Sequence, residues 1–221
     1  MGKPFPKRPR RPGPPSPVTR LWLIRHAEVE ARYQKTFGGR IDMNLSPRGR
    51  AQAKILAGYL HGKNFDAVYA SPMKRVQQTL APCLKNGAPV QTILPGLREV
   101  DFGDWTGYDW FEVQKKFGVH PYDWLDEIEL GTVPHGESGA QFRTRVEPCL
   151  FEIIRRHPGG TSAVFCHGGV IRMMLAILLD LPLARTNSFE IEYASVTRVA
   201  LHPHLNEIEL LNFTPWRDGA A

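Results

Sequence analysis

Two histidines in this chain stand directly after apolar runs, and both positions suit chemistry. Arg25-His26-Ala27-Glu28 follows Leu21-Trp22-Leu23-Ile24, and His167-Gly168-Gly169 follows Ala163-Val164-Phe165-Cys166. Short apolar runs of this kind read as buried strands. The carboxyl ends of strands in open α/β sheets are where ligands bind. Neutral imidazole is a competent nucleophile near pH 7, because its ordinary pKa leaves a lone pair free. Strand-end histidines with arginine nearby therefore suit phosphoryl transfer through a phosphohistidine.

Attack on a phosphate ester meets two obstacles, the anionic phosphoryl oxygens and a poor alkoxide leaving group. Fixed cations answer the first. Arg25 adjoins His26, and Arg75 lies in the first turn of a helix predicted after Ser71-Pro72. Guanidinium forks match phosphate geometry. His167 can add a ring N–H, with backbone donors from the turn at Gly168 and Gly169. A general acid answers the second obstacle. Glu99 fits that role if apolar crowding or the bound phosphate's charge raises its pKa. Each residue also has an ordinary meaning when taken alone. Arg25-His26 can be surface punctuation, Arg75 beside Lys74 a solvated helix face, Arg98-Glu99 an exposed ion pair, and His167 a core histidine. All four lie at predicted loop or strand-end positions.

The elements that must hold these residues alternate between strand and helix. Strands are expected at Thr19–Ile24, Ala67–Ala70, Val90–Leu94, Ser162–Cys166, Phe189–Tyr193, Thr197–Leu201 and Glu207–Phe213. Ser46-Pro47 and Ser71-Pro72 are helix starts, with a hydroxyl cap and proline at the first helical position. The first helix carries an apolar stripe of Ile55, Leu56, Tyr59 and Leu60, the second turns Val76, Leu80 and Leu84 inward. Ser138 opens a long helix with Phe142, Val146, Leu150, Ile153 and Ile154 at helical spacing, ending at Pro158-Gly159-Gly160. A helix also follows Gly168-Gly169 as far as Leu179. Residues 103–136 break the alternation and read as an insertion with a short helix near Trp110–Phe117. Trp105, Trp110 and Trp124 are candidates either for a substrate wall or for subdomain core, with at least two expected in the core, since tryptophan is usually highly buried. The fold class is α/β, a three-layer α/β/α sandwich with a mainly parallel central sheet and a small inserted cap subdomain.

Composition suits one domain. The chain has 221 residues, 42% hydrophobic and 23% charged, with a formal net charge of +6. The charge is local. Residues 1–20 hold six Lys or Arg and no acid, so the other 22 basic residues balance the 22 acidic ones. Seven prolines precede Val18, which rules out a helix or central strand there. Residues 1–17 are thus expected as a disordered basic arm ahead of a domain at 18–221, with the arm's contact with anionic surfaces an open reading. No apolar run has signal-peptide or membrane-spanning length. Three cysteines without CxxC spacing point to reduced thiols and a cytoplasmic protein, with Cys166 as strand core.

From about Leu21 to Phe213 the chain resembles the histidine phosphatase superfamily, also called the phosphoglycerate mutase-like family. Arg25–Glu28 looks like its RHGE, Leu45–Ala53 like LTxxGxxQA, and Ser71–Thr79 like SPxxRxxQT. Glu99–Gly107, EVDFGDWTG, is similar to ExxFGxWEG, and His167–Arg172 to HGGVIR. The resemblance implies His26 as phosphoryl acceptor, Glu99 as proton donor, and Arg25, Arg75 and His167 as the phosphate pocket. It implies neither a metal nor an organic cofactor. The EVDFGDWTG stretch and the PxGES-like Pro134–Ser138 resemble the phosphatase branch, which includes α-ribazole phosphatase-like and broad-specificity enzymes. Hydrolysis of a small-molecule phosphate ester is expected ahead of phosphoglycerate mutase-type transfer. A non-catalytic phospho-ligand protein is a third reading, weakened by the presence of both a nucleophile and an acid. Ala27 replaces the family's usual glycine, and Arg32 stands where many members have asparagine. Arg32, Gly38, Arg40 and Gly168 are candidate substrate contacts. A homodimer is left open.

Overall fold

The computed structural model describes residues 17–219 except Asn86. The proposed basic arm lies outside these residues apart from Pro17. Six strands form one sheet in the order β3-β2-β4-β1-β5-β6. They are β1 (Thr19–Arg25), β2 (Ala67–Ala70), β3 (Gln91–Ile93), β4 (Thr161–Cys166), β5 (Val196–Leu201) and β6 (Asn206–Phe213). The pairs β2·β3, β2·β4 and β1·β4 are parallel, whereas β1·β5 and β5·β6 are antiparallel.

Helices cover both faces because the central strands are apolar on both faces. Leu21, Leu23, Tyr69, Val164 and Cys166 face a core completed by α5 (Gly139–Arg156) and α6 (Gly168–Leu178). The alternate residues Trp22, Ile24, Val68, Ala70, Ala163 and Phe165 face α1 (Pro47–Leu60) and α2 (Lys74–Lys85). The period of two along each strand thus divides the core into two layers.

Helix starts follow their caps. Ser46 accepts from the Gly49 amide, and Ser138 and Gln141 form a reciprocal capping box. Gly49 is required where it stands, since a Cβ there would lie 2.0 Å from the Glu28 carbonyl oxygen. The buried stripe of α1 differs from the expected one. It runs through Ala53, Leu56, Ala57 and Leu60 at helical spacing, which turns Ile55 outward. Ser71-Pro72 does not open α2, which begins at Lys74; the Ser71 hydroxyl meets His167 and accepts from the Met73 amide at 3.4 Å.

Residues 103–136 carry two helices, α3 (Trp110–Phe117) and α4 (Trp124–Leu130), the second not expected. Trp105 alone of the three tryptophans is fully buried; Trp110 is exposed and Trp124 half-buried. The expectation of two core tryptophans is therefore corrected. Phe189–Tyr193 is not a strand. Carbonyls in and before it accept from arginine side chains instead, Ile191 from Arg25 and Thr186 and Phe189 from Arg172. A short helix, α7 (Pro215–Asp218), packs against α1. Among the described residues no helix is long and apolar enough to cross a membrane.

Candidate active site

Parallel pairing of β1 with β4 sets Arg25 opposite Cys166, so the next residues, His26 and His167, emerge side by side at the carboxyl edge. Their rings stand edge to face with centroids 5.2 Å apart. Pairing of β2 with β4 brings Ser71 to the same edge, where its hydroxyl meets His167 Nε2 at 2.9 Å. Sheet register alone thus gathers residues far apart in sequence.

His26 is oriented by its own backbone. Nδ1 lies 2.9 Å from the Ala27 carbonyl oxygen, an acceptor, so Nδ1 carries the proton and Nε2 keeps the lone pair. Arg75 Nε–H donates to that Nε2 at 3.2 Å. Burial, followed by the charges of Arg75 and Arg25, holds the His26 pKa well below its ordinary value. Burial and then the Arg75 charge depress His167 likewise. Both rings are therefore neutral at pH 7.

Arg75 is almost fully buried and committed on every side. Its Nη groups donate to the Ile41 and Gly39 carbonyls at 2.8 and 2.9 Å, tying down the loop that carries Gly38 and Gly39. Burial lowers its pKa to about 10, which leaves it cationic at neutral pH. The Arg25 guanidinium donates to the Ile191 carbonyl at 2.6 Å and lies 4.1 Å above the Tyr193 ring. Two buried donors beside His26, Arg25 Nε and His167 Nδ1, have no hydrogen-bond partner among the described residues. In the tautomer where the Ser71 hydroxyl donates to Nε2, His167 Nδ1 carries the proton. Buried donors left unpaired are costly, and an oxyanion between them removes the cost.

Motif residues outside this cluster act as its scaffold. The Ala27 amide donates to Thr79 Oγ1, which in turn donates to the Arg75 carbonyl, linking the two loops. Gln52 accepts from the Glu28 amide, and Gln78 from the Leu45 amide. Glu28 itself turns away, accepting from the Ser46 hydroxyl. Ala27 is not among the residues of positive φ, so glycine is dispensable there.

Glu99 reaches the cavity from the loop after β3, accepting from the Gly169 amide at 3.3 Å and from its neighbour Val100. Arg145 holds that loop. It donates to the carbonyls of Gly96, Arg98 and Glu99 while forming a bidentate pair with Glu137 at 2.6 and 2.7 Å. Glu137, in the PxGES-like element, also accepts from the Asp101 amide.

Arg25, His26, Arg75, Glu99, Gly38 and Gly168 all line one cavity of about 550 Å³; His167 is fully buried beside His26 and is not part of the lining. Arg32 and Arg40 do not line it. Arg32 pairs with Glu30 at 3.5 Å and stacks on Tyr33, while Arg40 pairs with Asp101 at 3.3 Å. Nearby carboxylates and water draw both side chains away from the cavity. The wall also contains Arg172, Tyr193, Trp110, Tyr122 and Trp124. Arg172 stood in the HGGVIR-like segment, and Trp110 and Trp124 among the cap tryptophans that were candidates for a substrate wall; Tyr193 and Tyr122 had no motif to mark them.

A family model described as histidine phosphatase superfamily (branch 1) matches residues 21–214. The chain belongs to this superfamily. As a histidine phosphatase it hydrolyses phosphate monoesters through a phosphohistidine. It is 32% identical over 198 residues to phosphoserine phosphatase 1 of Hydrogenobacter thermophilus, covering 89% of this chain and 93% of that protein. It is 28% identical over 194 residues to the adenosylcobalamin/alpha-ribazole phosphatase of Escherichia coli, covering 87% and 95%. The solved alpha-ribazole phosphatase of Shigella flexneri superposes with a TM-score of 0.76 at 26% identity, covering 88% of this chain and 96% of that one.

Proposed function

We propose that this histidine phosphatase cleaves the phosphate monoester of a small metabolite, with His26 as nucleophile and Glu99 as proton donor. His26 Nε2 attacks phosphorus in line with the leaving oxygen. An N–P bond forms as the P–O bond to the alcohol breaks, and Glu99 delivers its proton to that oxygen. Water then attacks the phosphohistidine, Glu99 takes a proton from it, and phosphate leaves with Nε2 restored. Arg25, Arg75 and His167 hold the three non-bridging oxygens. Arg25 and Arg75 supply the positive charge that a metal ion provides in other phosphatases, and neutral His167 adds a ring N–H.

The observation that carries this reading is the tautomer of His26. The Nδ1 contact with the Ala27 carbonyl aims the Nε2 lone pair at the cluster of guanidinium and imidazole donors. Residues 103–136 serve as a cap, supported by Trp110, Tyr122 and Trp124 in the cavity wall. A cytoplasmic, reducing setting suits three cysteines that are all free thiols.

The test is a panel of phosphorylated metabolites scored by phosphate release with a chelator present. His26→Ala is expected to remove turnover, and added divalent metal to leave the wild type unchanged. Metal-dependent turnover, or turnover that survives His26→Ala, contradicts the reading. An assay for interconversion of 2- and 3-phosphoglycerate separates it from a mutase.

A further inference from the structure

Arg25 must present its Nε–H to a phosphoryl group, yet the protein binds its guanidinium loosely. Nη1 donates to the Ile191 carbonyl, and Nε has no partner among the described residues. A side chain of this length, held through one end of its fork, keeps much of its rotamer freedom. Nearby charge also pushes it away. Burial above all, with the Arg25 charge adding to it, lowers both Arg75 and Arg172 to about 10. Three guanidiniums thus repel one another around the cavity.

The Tyr193 ring opposes that repulsion. Its centroid lies 4.1 Å from Arg25 Cζ and 5.6 Å from the centroid of His26. An aromatic face attracts a guanidinium and leaves the N–H edges of the fork free for an anion. Gly168 borders the same group from the start of α6, since a Cβ there would lie 3.5 Å from Arg25 Nε. The Tyr193 hydroxyl makes no hydrogen bond among the described residues, so the contact rests on the ring.

The turn that carries Tyr193 is itself fixed. Trp216 Nε1 donates to the Tyr193 carbonyl at 2.8 Å, and the Glu192 amide donates to Asn212 Oδ1 at 2.6 Å. The Ser195 amide closes the turn on the Glu192 carbonyl at 3.2 Å. Between them Ala194, fully buried, has a φ of 53°, a left-handed conformation that alanine rarely takes. Its amide donates to the His26 carbonyl, and the Arg25 amide donates to the Ser195 carbonyl, both at 3.1 Å. Backbone strain of this kind persists where the surroundings over-determine it, and it gathers at functional sites. Here the strained turn is bonded to the same two residues that its ring faces.

Resting on the phosphatase reading above, we infer that Tyr193 is a positioning residue for Arg25. Its ring face holds the guanidinium beside His26, with Nε–H directed at a non-bridging phosphoryl oxygen.

The test measures the dissociation constant of inorganic phosphate by calorimetry, and kcat/KM for an alkyl and an activated aryl phosphate, on the whole chain. Tyr193→Leu keeps apolar bulk without an aromatic face. It is expected to weaken phosphate binding roughly tenfold and to lower kcat/KM by a similar factor on both esters. Tyr193→Phe, which keeps the face and removes the hydroxyl, should recover most of that loss. In an Arg25→Gln background Tyr193→Leu should add little further loss, because the ring acts through the guanidinium. Unchanged far-ultraviolet circular dichroism checks that the variants fold. An unchanged phosphate constant in Tyr193→Leu, no recovery in Tyr193→Phe, or additive losses in the double variant overturns the inference. A loss confined to one ester also overturns it and assigns Tyr193 to the leaving alcohol. A wild type that releases no phosphate from either ester removes the phosphatase reading alone, since the phosphate titration still reads the hold on Arg25.

Discussion

Arg75 Nε–H donates to His26 Nε2 at 3.2 Å, so a cation caps the lone pair that attacks phosphorus. Burial, and after it the Arg75 charge, keeps His26 unprotonated, and the contact sets a cation where phosphoryl charge arrives. It also means that the incoming phosphate must take over this N–H before Nε2 is free.

A pH dependence follows from the two buried imidazoles. In the unfolded chain both take the ordinary value near 6.5, while folding holds both well below it. As pH falls below 6.5 the unfolded state gains protons that the folded state refuses. Stability is thus full above pH 6.5 and falls on acidification until the folded pKa values are reached. The slope is about 1.4 kcal/mol per pH unit for each histidine. Denaturation in phosphate-free buffer checks this, and His167→Ala should flatten the profile. A histidine NMR titration showing His26 protonated at pH 6.5 contradicts it.

Gly169 isolates the role of the Glu99 carboxyl. A Cβ at Gly169 would lie 2.5 Å from Glu99 Oε1, the free end of a flexible side chain, so the carboxyl shifts while the fold persists. Gly169→Ala is expected to slow alkyl phosphates roughly ten- to a hundredfold and an activated aryl phosphate much less, as for loss of a general acid. Equal slowing of both, measured as kcat/KM, removes Glu99 from the acid role.

Much of this arrangement is legible in the sequence, for identifiable reasons. The continuous apolar runs Leu21–Ile24 and Ala163–Cys166, buried on both faces of the sheet, and the serine caps at Ser46 and Ser138 are local signals that survive folding. Phe189–Tyr193 misleads because its apolar–acidic alternation mimics a strand, although Arg25 and Arg172 capture carbonyls in and beside it from distant elements. Tyr193 and Tyr122 carry no motif. They reach the cavity through tertiary placement, which neither periodicity nor spacing encodes. Arg32 and Arg40 lie close in sequence to the cavity loop, yet they turn to Glu30 and Asp101.

Arg145 is expected to matter for stability as well as rate. Its pair with Glu137 is mostly buried, at 20% and 8% side-chain exposure, and it holds three carbonyls of the Glu99 loop. Arg145→Ala leaves Glu137 without its main partner and should cost roughly 2–4 kcal/mol, less than full burial implies because some water reaches the pair. Urea denaturation measures this. A loss under half a kilocalorie per mole shows that the loop is held by other contacts.

The central claim is that His26 carries the phosphoryl group. Rapid quenching of wild type with a radiolabelled phosphate ester, followed by peptide mapping, tests it most directly. The account predicts an acid-labile, base-stable phosphoenzyme located at His26 and absent from His26→Ala. Label on any other residue, or undiminished phosphoenzyme in His26→Ala, contradicts it.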